Sequence, residues 1–121
     1  MVKEGTVVAA ILLGIGREFP AIRAWRSNTG AFKDAFGQFI RFGLPGSADI
    51  SGIIGPGGTR LEIECKNANG RQSECQKAFE KMIASAGGVY ILARSWEEAK
   101  IFLLKKRATW SDNNHYVNKG S

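Results

Sequence analysis

The sequence predicts an α/β fold in which a central mixed sheet of four strands is flanked by helices. Two apolar runs, residues 46–54 and 59–66, enclose the Gly/Pro cluster of residues 55–58, and this arrangement indicates a β-hairpin. A short continuous apolar run at Val89–Ala93 is typical of a buried strand. Apolar residues recur with helical spacing before, between and after these strands. The predicted order is helix, strand, two-stranded hairpin, helix, strand, helix.

Helical periodicity predicts a first helix over residues 3–15, with Gly14 and Gly16 loosening its end. Its apolar positions are Val7, Val8, Ile11, Leu12 and Ile15. The alternating segment Ile22–Arg26 is predicted to follow as a strand. Residues 31–45 are rich in Phe and Gly and are predicted to form a loop. Its aromatic side chains either plug the core or stack on nucleic-acid bases.

Ser73 is suited to cap a second helix over residues 74–86, which Gly87 and Gly88 end. The side chains that we expect this helix to bury are Phe79, Met82, Ile83 and Ala86. A last helix is predicted over residues 96–105. The side chains that it should turn inward are Trp96, Ala99, Phe102 and Leu103.

The chain of 121 residues is long enough for one domain with a real core. We place this domain at residues 1–107 and expect a polar, flexible tail at residues 108–121. Lys and Arg outnumber Asp and Glu by 17 to 11, and the resulting charge of +6 favours an acidic partner such as nucleic acid. No apolar stretch approaches the roughly 20 residues of a membrane-spanning helix. Two cysteines, Cys65 and Cys75, are too few for a disulfide framework, so we expect a reducing, cytoplasmic compartment.

The position of the turn fixes which hairpin residues face each other. With the turn centred in residues 55–58, Asp49 lies opposite Glu64. Because side chains alternate along a strand, Glu62 and Lys66 share the face of Glu64, and the residues between them point into a core. The hairpin therefore collects Asp49, Glu64 and Lys66 in one small volume. A slip of one residue in the register would instead send Asp49 to the opposite face.

Opposed carboxylates call for a chemical reason, because they repel each other unless a cation lies between them. Mg²⁺ uses carboxylate oxygens together with substrate phosphate, so a divalent metal is one interpretation of Asp49 and Glu64. Lys66 would lie about 7 Å along the strand from Glu64 and could reach a metal-bound water or a phosphate. The other interpretation is a solvated sheet face with ordinary salt bridges. The pattern alone leaves both open.

A set of short motifs accompanies this hairpin in a fixed order along the chain. They are Glu4, residues 25–30 (Trp-Arg-Ser-Asn-Thr-Gly), residues 46–49 (Gly-Ser-Ala-Asp), Glu64-Cys65-Lys66, residues 70–73 (Gly-Arg-Gln-Ser) with Gln76, and residues 87–90 (Gly-Gly-Val-Tyr). Their order and spacing resemble the PD-(D/E)xK nuclease superfamily, and within it the VRR-NUC domain, the virus-type replication-repair nuclease module. The similarity spans about residues 3–100. It departs from the family pattern at Ala48, where relatives often carry Pro.

The resemblance implies a restriction-endonuclease-like fold and a deoxyribonuclease that depends on Mg²⁺ or Mn²⁺. The metal ligands would be Asp49, Glu64, the backbone carbonyl of Cys65 and, through water, Glu4. The catalytic residues would be Asp49, Glu64, Lys66 and Gln76. Lys66 would orient or deprotonate the attacking water, and Gln76 would help to position Lys66 or that water. Because a bound metal lowers the pKa of its water, the nucleophile would form near neutral pH.

Partners and location also follow from the resemblance. It implies a homodimer that acts in DNA repair and cuts branched DNA such as Holliday junctions, in the cytoplasm of a bacterium or of a phage-infected host cell. Six basic or polar side chains are expected to contact the DNA: Arg26, Asn28, Lys33, Arg41, Arg71 and Lys77.

Three other functions remain open on the sequence. A non-catalytic nucleic-acid-binding module would use the basic charge and keep the acidic cluster as structure. An HNH-type nuclease is suggested by the Asn-Asn-His run that ends at His115, but a single histidine cannot supply both the base and the ligands of such a site. A purely structural or interaction protein would make the alignment of the hairpin acids with Lys66 a coincidence.

Overall fold

The computed structural model describes the backbone of residues 2–27 and 30–119, and the side chains of residues 2–27, 33–40 and 43–107. The elements in chain order are α1 (Glu4–Glu18), β1 (Ile22–Arg26), β2 (Gly30–Lys33), β3 (Phe39–Phe42), β4 (Ile50–Ile54), β5 (Thr59–Cys65), α2 (Glu74–Ser85), β6 (Val89–Ala93) and α3 (Trp96–Lys119). The predicted α/β class is confirmed. The strands predicted at β1, β4, β5 and β6 are all present.

Four strands form one mixed sheet in the order β1-β4-β5-β6. The pairs β1–β4 and β4–β5 are antiparallel, whereas β5 and β6 are parallel. In the hairpin, Ile54 pairs with Thr59 and Ile50 pairs with Ile63. The predicted register is therefore confirmed, and Asp49 comes opposite Glu64 one step beyond the last pair.

The main core lies between this sheet and the helices α1 and α3. Leu61, Ile63 and Cys65 of β5 are fully buried on that side, together with Ile11 and Leu103 from the two helices. Helix α2 packs on the opposite face, chiefly against β6, where Phe79 and Ile83 form a smaller apolar cluster. Because β5 is covered on both faces from Leu61 to Cys65, Glu62 and Glu64 are buried as well.

Helix α1 ends at Glu18, rather than at residue 15 as its glycines predict. A Cβ atom at Gly14 would overlap the indole of Trp96, so this glycine is the point at which α1 and α3 approach each other. The glycine serves a packing contact and does not mark the end of the helix.

Residues 31–45 were predicted as a loop, and that prediction is wrong. They include most of a separate two-stranded hairpin of β2 and β3. In its turn, the Oδ1 atom of Asp34 accepts hydrogen bonds from the N–H groups of Phe36 and Gln38, both at 2.9 Å, and Gly37 has a φ of 80°. Strands of four residues are too short for alternation to separate them from a loop.

Helix α3 continues to Lys119, so the prediction that it ends at residue 105 is wrong. No Gly or Pro occurs between Trp96 and Lys119, and the backbone chemistry supplies no stop signal there. The proposed division into a domain and a flexible tail remains a prediction.

The helices bury a narrower stripe than their periodicity predicts. The predicted core residues that are buried are Phe79, Ile83, Ala99 and Leu103. Met82 is 47% exposed and Phe102 is 44% exposed, and Ala86 is exposed too, so these three predictions are wrong. Each helix lies on one face of a sheet, so side chains at the margin of its apolar stripe reach solvent. Within the described residues, none of the three helices carries an apolar stretch of the length that crossing a membrane requires.

Gly14 and Gly16 offer a matched test of the helix packing. We expect Gly14→Ala to lower the free energy of unfolding by about 1–3 kcal/mol, because the added methyl group displaces Trp96. Gly16 has no neighbouring atom within 4 Å of an added Cβ, so Gly16→Ala should stabilise the helix by up to about 1 kcal/mol. Urea denaturation followed by circular dichroism measures both, and equal effects of the two variants would contradict the packing.

Candidate active site

Asp49 lies where strands β4 and β5 separate. One of its carboxylate oxygens, Oδ2, accepts a hydrogen bond of 2.8 Å from the backbone N–H of Cys65. The backbone carbonyl of Asp49 accepts a further bond of 2.8 Å from the N–H of Ser27, which continues the pairing of β1 with β4. Asp49 is thus held by both neighbouring strands, with its carboxylate directed toward β5.

Glu64 is the buried centre of the site, with only 3% of its surface exposed. Its Oε2 atom accepts a hydrogen bond of 3.1 Å from Nε2 of Gln76 and lies 3.2 Å from the ammonium of Lys66. Its Oε1 atom is buried and, within the described residues, has no hydrogen-bond partner. A buried carboxylate oxygen without a partner is costly, which makes Oε1 the atom of this site that most needs a ligand.

Burial, followed by the negative charge of Asp49, raises the pKa of the Glu64 carboxyl from its usual 4.5 to a net value of about 7. The hydrogen bond and charge of Lys66 act in the opposite direction and offset only part of this shift. Near neutral pH the metal-free site therefore retains part of a proton, which a cation bound between the carboxylates would displace.

Gln76 connects the site to the start of helix α2. Its Oε1 atom accepts a hydrogen bond of 2.8 Å from the N–H of Ser73, and its own N–H donates to the Ser73 hydroxyl at 3.1 Å, which together form a capping box. The predicted cap at Ser73 is confirmed. Gly46 packs against the same turn, where an added Cβ would meet the carbonyl oxygen of Cys75. The amide that contacts Glu64 is therefore fixed by the helix cap, and it contacts Glu64, not Lys66.

Lys66 is held in place by the loop that follows β5. Gly70 lies over its aliphatic stem, where an added Cβ would come within 3.1 Å of the Lys66 Cδ atom. The guanidinium of Arg94 supports this loop from β6 by donating to the carbonyls of Asn67 at 2.6 Å and Gly70 at 2.8 Å. The sequence analysis did not identify Arg94. The only feature that pointed to it was its position as a basic residue directly after the predicted strand Val89–Ala93.

Glu62 shares the face of Glu64 and is 1% exposed. It pairs with the Nε atom of Arg60 at 3.0 Å, although the side chain of Arg60 is 54% exposed. Ser51 lies opposite Glu62 and exchanges a hydrogen bond of 2.6 Å with the Ser27 hydroxyl. Glu62 is thus a buried carboxylate whose partner is a largely exposed cation.

Glu4 lies in the first turn of α1 and is exposed. Burial raises the pKa of the Cys65 thiol to about 12, and the negative charges of Asp49, Glu64 and Glu4 contribute to that rise. Glu4 is therefore close enough to affect the C-terminal end of β5 electrostatically. Across the described part of the chain, however, no three or more His, Cys, Asp or Glu side chains form a group that could hold a metal ion. Any metal here depends on Asp49 and Glu64, with backbone or solvent oxygens completing the site.

The predicted DNA contacts do not lie on one surface. Arg26 pairs with the buried Ile50 and so belongs to the face of the sheet opposite the carboxylates. Lys33 lies over the ring of Phe39, with its ammonium 5.3 Å from the ring centre, on the separate β2–β3 hairpin.

Two other predicted contacts lie near the site or its flanking helix. Arg71 is exposed and lines a polar cavity of about 520 Å³ with Arg94. Lys77 pairs with Glu74 at 3.2 Å in the first turns of α2. Asn28, the side chain of Arg41 and the side chain of His115 lie outside the described residues.

No family model matches this chain, and no curated protein is significantly similar to it. The functional proposal therefore rests on the geometry of the site.

Substitution of Glu64 should show the cost of burying its charge. The folded pKa of about 7 exceeds the usual 4.5, so this group lowers stability as the pH rises between those values. At pH 8 we expect metal-free Glu64→Gln to be more stable than the wild type by up to about 3 kcal/mol. The difference should vanish near pH 4, where the acid is neutral.

Urea denaturation in EDTA at both pH values measures this difference. The control is Glu97→Gln, which changes an exposed carboxylate of α3 and should leave the pH dependence unaltered. A Glu64→Gln variant that is less stable than the wild type at pH 8 would contradict the raised pKa.

Proposed function

We propose that this chain is a metal-dependent DNA endonuclease of the PD-(D/E)xK type, related to VRR-NUC domains, that hydrolyses phosphodiester bonds. The observation that carries the proposal is the buried Oε1 atom of Glu64, which has no partner among the described residues and belongs to a carboxylate pair. A lysine ammonium lies within contact of the same carboxylate. Two acids and a lysine in this arrangement are well suited to phosphate hydrolysis at a bound cation.

The side chains present fit Mg²⁺ or Mn²⁺. Mg²⁺ keeps several waters and needs only one or two protein carboxylates together with substrate phosphate, so a third acidic ligand is not required. Asp49 retains Oδ1 beside the Oδ2 atom that binds Cys65, and Glu64 offers Oε1. The backbone carbonyl of Cys65 is the further ligand that we propose. Glu4 remains a proposed contact through water.

Each residue has a distinct task in this mechanism. A bound metal would lower the pKa of its water and polarise the phosphoryl oxygen. The ammonium of Lys66, 3.2 Å from Oε2 of Glu64, would orient the attacking water and stabilise the charge that develops on the phosphorane. Gln76 donates to Oε2 of Glu64, which would leave Oε1 as the atom that binds the metal. Gly70 packs on the stem of Lys66, and Arg94 holds the loop that contains Gly70, which would restrict the movement of the ammonium.

Branched DNA such as a Holliday junction, and a homodimeric state, are part of the proposal. The net charge of +6 supports a nucleic-acid substrate. Phe36, Phe39 and Leu44 are 89%, 70% and 59% exposed, which supports a contact between subunits near the β2–β3 hairpin. Cleavage of two strands would then use one site from each subunit.

A non-catalytic nucleic-acid-binding module is the second candidate. Asp49 already binds the N–H of Cys65, and Lys66 already balances part of the charge of Glu64. Both carboxylates therefore have structural partners without a metal. This candidate predicts DNA binding that is the same in Mg²⁺ and in EDTA.

Cleavage assays separate the two candidates. We expect supercoiled plasmid or a four-way DNA junction to be cut in Mg²⁺, and cutting to stop in EDTA. Lys66→Met keeps the aliphatic stem but removes the ammonium, and it should reduce the rate by at least about 100-fold. Lys81→Met, at an exposed position on α2, is the matched control and should retain activity. Intact DNA in both Mg²⁺ and Mn²⁺, despite binding, would favour the non-catalytic module.

Metal binding can be measured without any substrate. Calorimetric titration with Mn²⁺ should show binding that releases protons, because the carboxyl of Glu64 must ionise. Asp49→Asn and Glu64→Gln should each weaken this binding by about tenfold or more, whereas Glu97→Gln should not. Equal affinity in all four proteins would place the metal elsewhere.

A further inference from the structure

Among the described residues, the β1 side of the sheet face that carries the carboxylates has no helix packed on it. Helix α2 packs chiefly against β6, at one edge of the sheet, whereas β1 forms the other edge. On β1, Trp25 is 45% exposed, and on the adjoining strand Ile53 is 44% exposed. Exposed apolar side chains that lie together often mark a binding surface, and these two lie beside the candidate active site.

The strand register places this indole in line with the site. Trp25 pairs with Ser51, and Ser51 pairs with Glu62, so the three side chains form one row across the sheet. Asp49 and Glu64 belong to the next row on the same face, about 7 Å further along the strands. Trp25 is two strands from β5, or about 10 Å. The indole is therefore within reach of a nucleotide next to the one bound at the carboxylates.

A second row adds positive charge beside Trp25. Arg23 pairs with Ile53, which in turn pairs with Arg60. Arg23 is exposed, and the side chain of Arg60 is 54% exposed although its Nε atom pairs with Glu62. A guanidinium carries five N–H donors, so this ion pair uses only part of its capacity. Arg23 and Arg60 therefore lie on either side of Ile53, and Ile53 adjoins Trp25 beside the site.

An exposed aromatic ring with cations in the neighbouring row has the chemistry of a single-stranded nucleic-acid surface. Bases stack on exposed aromatic side chains, while guanidinium groups neutralise the phosphates between them. Inside a duplex a base has neighbours on both of its faces and offers no free face to an indole. The substrate must therefore present at least one unpaired base at this position.

We propose that Trp25 stacks on an unpaired base of the bound DNA, and that Arg23 and Arg60 contact the adjoining phosphates. The inference rests on the proposed function for the identity of the reacting strand, and it adds that this strand is single-stranded or splayed beside the site. Such a requirement gives a physical reason for a preference for branched DNA, where strands part from each other. A second copy of this chain is the other possible occupant of the surface.

Binding of single-stranded DNA tests the inference without cleavage. The probes are a fluorescein-labelled thymidine oligonucleotide of about 12 nucleotides and a duplex of the same length, measured by fluorescence anisotropy in EDTA. Trp25→Ala and Trp25→Leu should bind the single strand about five- to a hundredfold more weakly, because both lack a stacking plane. Trp25→Phe should stay within about threefold of the wild type.

The controls separate stacking from loss of structure. Phe102→Ala removes an aromatic ring of matched exposure, 44%, from α3 on the other side of the sheet, and it should not change the affinity. Thermal melts identify any variant that fails to fold. If Trp25→Ala does not fold, the comparison of Trp25→Leu with Trp25→Phe still tests whether the indole stacks on a base. For the duplex, the Trp25 variants should bind within about twofold of the wild type. Arg23→Gln should reduce the salt dependence of single-strand binding by about one counterion.

Two outcomes would overturn the inference, and a third would separate it from the proposed function. Equal single-strand binding by the Leu and Phe variants would exclude stacking. Conversion of a dimer to a monomer by Trp25→Leu in sedimentation would make this surface a subunit interface. Single-strand binding that depends on Trp25, without cleavage by the wild type, would support the inference while the proposed nuclease activity fails.

Discussion

The arrangement of the site depends on the contact between the Asp49 carboxylate and the backbone N–H of Cys65. Strands β4 and β5 pair regularly up to Ile50 and Ile63 and then separate. At that point the Asp49 side chain takes the place of a main-chain partner and keeps the two strands together. This contact brings a second carboxylate to Glu64 at the start of the opening, and it places a charge where burial already disfavours one.

Hydrogen bonds and packing contacts hold the polar side chains next to Asp49 in place. Helix α2 fixes Gln76 through its capping box, and Gln76 in turn holds one oxygen of Glu64. The loop after β5 covers the stem of Lys66, and Arg94 holds that loop from the neighbouring parallel strand. Helix and strand backbone thus position these side chains around Oε1 of Glu64, the buried side-chain oxygen that has no hydrogen-bond partner among the described residues. The buried charge of Glu64 lowers the stability of the fold near neutral pH, and binding of the proposed cation would offset this loss.

Local signals in the sequence were sufficient for the hairpin, since the Gly/Pro cluster sets the turn and alternation then assigns the faces. They were not sufficient for features that depend on distant partners. The burial of Glu62 requires that both faces of β5 be covered, and the role of Arg94 requires the parallel pairing of β5 with β6. Arg26 was predicted as a DNA contact, whereas the β1–β4 pairing places Trp25 on the face of the carboxylates and Arg26 on the other face.

Anomalous diffraction from crystals soaked in Mn²⁺ would test the central claim most directly. A metal-dependent site should give a strong peak next to Oε1 of Glu64 and a carboxylate oxygen of Asp49, at about 2.1 Å from each. The same soak of Glu64→Gln crystals should leave this position without a peak. A wild-type map without a peak there, with Oε1 of Glu64 bonded to an ordered water or to Asp49 through a shared proton, would contradict a metal-dependent site.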